Sequence, residues 1–126
     1  MKKIIFTLLL FSFSLAHAEW TQIGQFKEGI YFIDYSSINK SGANRKAWSL
    51  VIYDEPKPLP SGTSVLSTKT YNEIDCKNNE RRQLAIIAFS DKESKSPVAN
   101  INKKGEFEPI VPESTLADVL KAVCKY

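Results

Sequence analysis

Histidine is nearly missing from this chain. The one imidazole in 126 residues is His17, and it lies in an amino-terminal segment built like an export signal. Lys2 and Lys3 precede an apolar run from Ile4 to Leu15, and Ala16-His17-Ala18 supplies small residues flanking one position, a pattern that predicts Sec cleavage after Ala18. That run is shorter than the roughly 20 residues a membrane-spanning helix needs. Glu19 and Trp20 follow, so no cysteine offers a lipid attachment point there. The expected product is one domain, residues 19–126, soluble in the periplasm or outside the cell and without a stable membrane anchor. It would contain no histidine, which excludes Ser-His-Asp and Cys-His nucleophilic sites and every histidine-containing zinc site.

Cysteine is scarce too. Cys76 and Cys124 are the only two, too few for a four-thiolate metal site, and in an exported chain they are expected to be bonded to each other. Closing that loop is worth about 4 kcal/mol in the chain-entropy model, a large share of the stability of a domain this small. A charge excess is missing as well. Against 17 Lys and Arg stand 14 Asp and Glu, and losing Lys2 and Lys3 brings the formal charge from +3 to about +1. A balance so near zero gives no electrostatic reason to bind nucleic acid. No repeat or low-complexity tract is present, and nothing in the chain implies a cofactor.

What is there begins at the far end. Pro112 to Cys124 reads PESTLADVLKAVC, with Leu116, Val119, Leu120, Val123 and Cys124 on one helical face. Thr115 with Asp118 three residues later predicts a capping box, and Pro112 stands where a helix tolerates proline. The body reads as strands: Trp20 to Phe26, Ile30 to Tyr35 after a Lys27-Glu28-Gly29 turn, Ala47 to Asp54, Ser64 to Asp75, and Arg81 to Ser90. Asn39 to Gly42 is expected to be a turn, and the proline-rich Glu55 to Gly62 a stiff loop rather than a docking motif. Trp48, Leu50 and Ile52 form the candidate core face of their strand, while the Val51 and Tyr53 face is either wet or helix-covered. Arg81–Ser90, apolar on both faces, is placed at the sheet centre. Pro97 to Asn102 and Glu106 to Ile110 are expected to form a last hairpin around Lys103-Lys104-Gly105. The predicted fold is α+β: an antiparallel meander sheet of about six strands, with the C-terminal helix packed on one face. By period two, Cys76 shares the face of Ile74, so Cys76–Cys124 is expected to tether the helix there.

Two carboxylate pairs, Glu73/Asp75 and Glu106/Glu108, have the roughly 6–7 Å spacing that glycosidase chemistry uses, but such pairs are usually solvated strand faces. Arg45-Lys46 and Lys103-Lys104 read as charged hairpin ends, and Asn39-Lys40-Ser41 matches a glycosylation sequon. The candidate contact surface is the set of hairpin tips where Lys77, Arg81, Arg82, Lys92 and Lys95 place positive charge near polar loops.

An ordered set of residues carries a family resemblance: Trp20, Tyr31-Phe32-Ile33-Asp34, Ser37-Ile38, Arg45-Lys46-Ala47-Trp48-Ser49-Leu50 with Tyr53, Ser67, Ile74-Asp75-Cys76 with Arg82, then Ile110-Val111-Pro112-Glu113-Ser114 and Val123-Cys124. The chain resembles the surface-adhesin protein E family over nearly all of residues 19–126. The resemblance implies an antiparallel sheet with a disulfide-tethered C-terminal helix, and a bacterial surface protein that contacts host extracellular-matrix proteins; the lack of histidine and of a free thiol adds the expectation that it is non-enzymatic and cofactor-free. It departs from the family in having Glu19 where the namesake has a lipid-bearing cysteine, Phe107 where a tryptophan is common, and an unmatched segment from Asp91 to Asn102. Without the anchor, a soluble periplasmic binding module or enzyme inhibitor is the other reading.

Overall fold

The computed structural model describes residues 19–126, and the expected signal peptide lies outside them. The strands are β1 (Trp20–Phe26), β2 (Gly29–Asp34), β3 (Asn39–Ser41), β4 (Asn44–Pro58), β5 (Ser64–Asp75), β6 (Glu80–Phe89), β7 (Pro97–Ile101) and β8 (Glu108–Pro109), followed by helix α1 (Thr115–Lys125). A short 3₁₀ turn, Tyr35–Ser37, links β2 to β3. Every pairing is antiparallel, and the order β1-β2-β4-β5-β6-β7 is a six-strand meander to which β3 and β8 add short pieces on β4 and β6.

Register decides which side chains are inside. Ala47 pairs with Asn72 and Arg45 with Ile74, so odd positions of β4 share a face with even positions of β5. Helix α1 lies on that face. Tyr31, Ile33, Ala47, Ile74, Val119 and Val123 form one buried cluster, with Val51, Leu120, Cys76 and Cys124 packed against it. The Val51 face is therefore the covered one, and Trp48, Leu50 and Ile52 lie on the opposite face, contrary to the sequence expectation. Leu50 is nonetheless buried there, and Trp48 stacks on Tyr71 with ring centroids 5.0 Å apart. Alternation alone identifies two faces; only the neighbouring strand's register says which one meets the helix.

Three further expectations need correction. The prolines of Glu55 to Gly62 do not break the strand, because β4 runs on to Pro58 and re-pairs after a bulge, Lys57 with Val65 and Pro58 with Ser64. On its other side β2 ends at the Gly29–Tyr53 pair, so Pro56 and Pro58 stand on an open edge where a missing N–H costs little. The last hairpin does not form either. β7 and β8 both pair with β6, at its Ile86–Phe89 and Glu80–Arg81 ends, as one interrupted edge strand. Gly105 lies between them and donates its amide to the Gln83 carbonyl at 2.8 Å, continuing the edge along β6 rather than reversing the chain. Strand β6 is thereby flanked on both sides but is next to the edge, and the centre of the sheet is the long β4–β5 pair.

The helix begins one residue earlier than a Thr115 cap would place it. Ser114 is the N-cap, its Oγ accepting from the Ala117 amide at 3.2 Å. Asp118 is therefore released from capping, and its carboxylate accepts a hydrogen bond from the Tyr31 hydroxyl. Gly24 makes this possible, since a Cβ there would collide with the Tyr31 ring. The second tie is covalent: Cys76 and Cys124 are bonded, with their Cα atoms 5.8 Å apart.

Both ties give measurable expectations. Cys124→Ser should lower the melting temperature by roughly 15–30 °C, from a loop-closure contribution of about 4 kcal/mol and the per-kcal shift of a domain this size; an unchanged thermal transition would mean that the bond adds nothing. Burial, then the hydrogen bond and charge of Asp118, push the Tyr31 hydroxyl up to about 12. A folded pKa above the unfolded value means stability that is full below about pH 10 and lost as pH rises toward about 12. Melting curves of the parent chain and Tyr31→Phe across that window should show this loss in the parent and a smaller one in the variant. Parallel pH profiles would disprove the coupling.

Candidate functional site

The positive residues singled out from the sequence do not form one surface. Lys77 is exposed in the turn between β5 and β6, a turn fixed by the Asp75 carboxylate, which accepts from the Lys77 and Asn78 amides at 3.0 and 3.1 Å. Lys92 and Lys95 are exposed in the loop at the other end of β6, roughly 30 Å away by strand rise. Between these ends, Arg81 and Arg82 point to opposite faces. Arg82 is committed: its Nε donates to Glu73 Oε1 at 2.7 Å, and its guanidinium lies 4.4 Å from the Phe107 ring centroid. Arg81 is half-buried on the helix side of the sheet.

The carboxylates are equally spoken for. Glu73 is buried, and burial alone would raise its pKa, yet hydrogen bonds from Arg82 and Asn44 hold it below the usual carboxylate range. Asp75 is held low by its bonds to Asn78, from both side chain and backbone, and to the Lys77 amide. A general acid needs the opposite displacement. Neither member of the Glu73/Asp75 pair is poised to donate a proton, and Glu106 and Glu108 are both exposed. Among the described residues no group of His, Cys, Asp and Glu is arranged to hold a metal ion.

The loop with Lys92 and Lys95 is locked rather than loose. The Asp91 carboxylate accepts from the Lys95 and Ser96 amides at 3.0 Å each. Ser67, fully buried on β5, donates to the Asp91 carbonyl at 2.6 Å and meets Ser94 Oγ at 2.8 Å. Burial would raise the Asp91 pKa, and the backbone amides of Ser96 and Lys95 more than offset it. On β7, which leads away from this loop, Val98 and Ile101 are 37% and 53% exposed. Sequence reading found the lysines but not the lock, which depends on a serine 24 residues away. It also passed over the row Thr68, Thr70 and Asn72. Small polar side chains on the face of Ile74, where a core strand would be apolar, were the visible signal.

The fold and its charges define a class: a one-helix, disulfide-stapled antiparallel-sheet domain in which the buried Glu73 is paired with Arg82. The family model for surface-adhesin protein E matches residues 20–125, and the chain belongs to that family. Solved structures agree in fold. Haemophilus influenzae protein E is 18% identical, with a TM-score of 0.61 over 82% of this chain and 83% of that one. Its selenomethionine form gives 19% and 0.63 over 82% and 85%, and protein E from non-typeable Haemophilus influenzae 18% and 0.59 over 88% and 80%. No curated protein sequence matches this chain. Membership supports an adhesin-like surface protein and hence an exported one. No helix among the described residues is long and apolar enough to cross a membrane.

If Arg82 serves Glu73 rather than a partner, Arg82→Ala should destabilise the domain by roughly 3 kcal/mol, the scale for orphaning a buried charge. Exposed Lys77→Ala and Lys92→Ala should stay within about 0.5 kcal/mol. Urea titrations of the three variants test this, and an Arg82→Ala midpoint equal to the parent's would free Arg82 for binding.

Proposed function

We propose that this chain is an exported, non-enzymatic adhesin-like domain that binds a protein partner, of which host extracellular-matrix proteins are the first choice, without metal or cofactor. Membership of the surface-adhesin family across residues 20–125 carries this reading. Export follows the signal pattern that ends at Ala18.

The contact surface in this proposal is the strand tips, led by the loop of Lys92 and Lys95. That loop is pre-organised by Asp91 and Ser67, so little conformational entropy is lost when it is engaged. Lys77 marks a second, separate tip at the far end of β6. Arg81 and Arg82 contribute through position and folding rather than by direct contact with a large partner.

Exposed lysines give salt-sensitive attraction, because their field is screened within roughly 8 Å at physiological ionic strength. Biolayer interferometry of the disulfide-bonded protein against matrix proteins at two salt concentrations should show binding near about 1 μM that weakens with salt. The double substitution Lys92→Glu, Lys95→Glu should weaken it further. Failure to bind any matrix protein, with the fold verified by circular dichroism, would overturn the host-contact reading. Recovery of the protein from the periplasm alone would do the same.

A further inference from the structure

Helix α1 does not cover the whole of its sheet face. Beside it runs a groove of about 310 Å³ between the helix and strands β4, β5 and β6. The groove shares Tyr53, Thr68 and Ile86 with an adjoining apolar recess of about 180 Å³. Together they are of the size that holds a small organic molecule.

Two lining residues carry buried polar atoms with no partner among the described residues. Asn72 is 1% exposed; its Nδ2 donates to Ser49 Oγ at 3.3 Å, while its Oδ1 accepts nothing. Arg81 lines the same groove, and its Nε donates to nothing. Glu108 sits across from Arg81 on β8 without closing an ion pair, and its charge only partly offsets the burial that depresses the guanidinium. Buried groups of this kind are nearly always satisfied in a folded protein, by the chain itself, by water or by a ligand. The groove therefore offers one unused acceptor and one unused cationic donor, on diagonal neighbours of β5 and β6 roughly 7–8 Å apart.

The rest of the lining orients what would enter. Glu28, the one carboxylate in the groove, is already paired with Lys57 at 3.1 Å. The first turn of α1 borders the groove at Thr115 and Leu116, and the start of a helix favours negative charge. Val51, Ile86 and Leu116 supply apolar walls.

We propose that this groove binds a small N-acyl amino acid or the C-terminal residue of a short peptide, with the free carboxylate on Arg81, the amide N–H on Asn72 Oδ1 and an apolar side chain between Val51, Ile86 and Leu116. A carboxylate satisfies the guanidinium, and the amide N–H one carbon away supplies the donor that Asn72 lacks. The site is separate from the Lys92–Lys95 tip, so it stands whether or not the protein is an adhesin.

The test is a 1H–15N NMR titration of the disulfide-bonded protein with N-acetyl-leucine, N-acetyl-leucinamide and the tripeptide Ala-Ala-Leu. Saturable shifts should appear at the Asn72 side-chain amide, Thr70, Gln83 and Leu116 on adding N-acetyl-leucine. N-acetyl-leucinamide, which lacks the carboxylate, should bind at least about tenfold more weakly, and Arg81→Gln should erase that difference. Tighter binding of the tripeptide assigns the groove to peptide C-termini, and equal binding assigns it to acylated amino acids. No saturable shift up to about 10 mM, equal affinity for acid and amide, or shifts confined to other surfaces would overturn the proposal. The acid–amide comparison uses the unaltered chain, so it holds even if Arg81→Gln fails to fold.

Discussion

The Cys76–Cys124 bond and the Tyr31–Asp118 hydrogen bond hold the helix by its two ends, and the inside of the molecule depends on them. Cys124 lies in the last turn and Asp118 in the first. One tie would leave the helix free to swing over the sheet; two fix its axis. With the axis fixed, Val119 and Val123 are driven onto Tyr31, Ile33, Ala47 and Ile74, and the core closes. The two ties also respond to different conditions. The covalent one fails under reduction, the other when a buried phenol ionises, so the helix is held by chemistries with no common weakness.

How much of this was legible from residues alone depended on distance along the chain. The helix, its apolar face and the tight Lys27–Glu28 turn follow from short-range patterns, the disulfide from there being only two cysteines in a chain with an export signal, and the family resemblance led to the same architecture. The covered face of β4 did not follow, because Ala47/Val51 and Trp48/Leu50 are both credible cores until Arg45 is paired with Ile74. The capping error was local but consequential. Ser114 and Thr115 are both good caps, and moving the helix start by one residue changes Asp118 from a capping group into the sheet anchor. Proline misled for a related reason: Pro56 and Pro58 break a strand only where a neighbour needs their N–H, and β2 has already ended there.

The fate of the charges separates structure from function. Glu73, Asp75 and Arg82 looked available in the sequence, yet each is consumed by a turn or an ion pair, as is Asp91. Depressed carboxylate pKa values are the signature of that consumption: a carboxylate held ionised by amides and a guanidinium stabilises its turn and has no proton to give. Lys92 and Lys95 are left to solvent, and the Asp91 carboxylate and the Ser67 hydroxyl make their loop rigid. Asp91 and Glu93 stand beside Lys92 and Lys95, so this is a rigid tip of balanced charge on a nearly neutral domain.

The groove follows from a mismatch of dimensions. An 11-residue helix is roughly 16 Å long, whereas six strands spaced by about 4.8 Å span roughly 24 Å. One such helix can seal only part of the face, and α1 lies against β1, β2 and β4. The sequence of β5 records this limit. Ile74, next to the disulfide, is apolar and fully buried, whereas Thr68, Thr70 and Asn72 on the same face are polar. A solvent-filled trough would require no more than threonines. Burying an asparagine carbonyl and an arginine Nε costs about 1–3 kcal/mol each unless water or another molecule satisfies them. The short helix thus leaves a groove beside its first turn, lined by Asn72 and Arg81 with their unpartnered polar atoms.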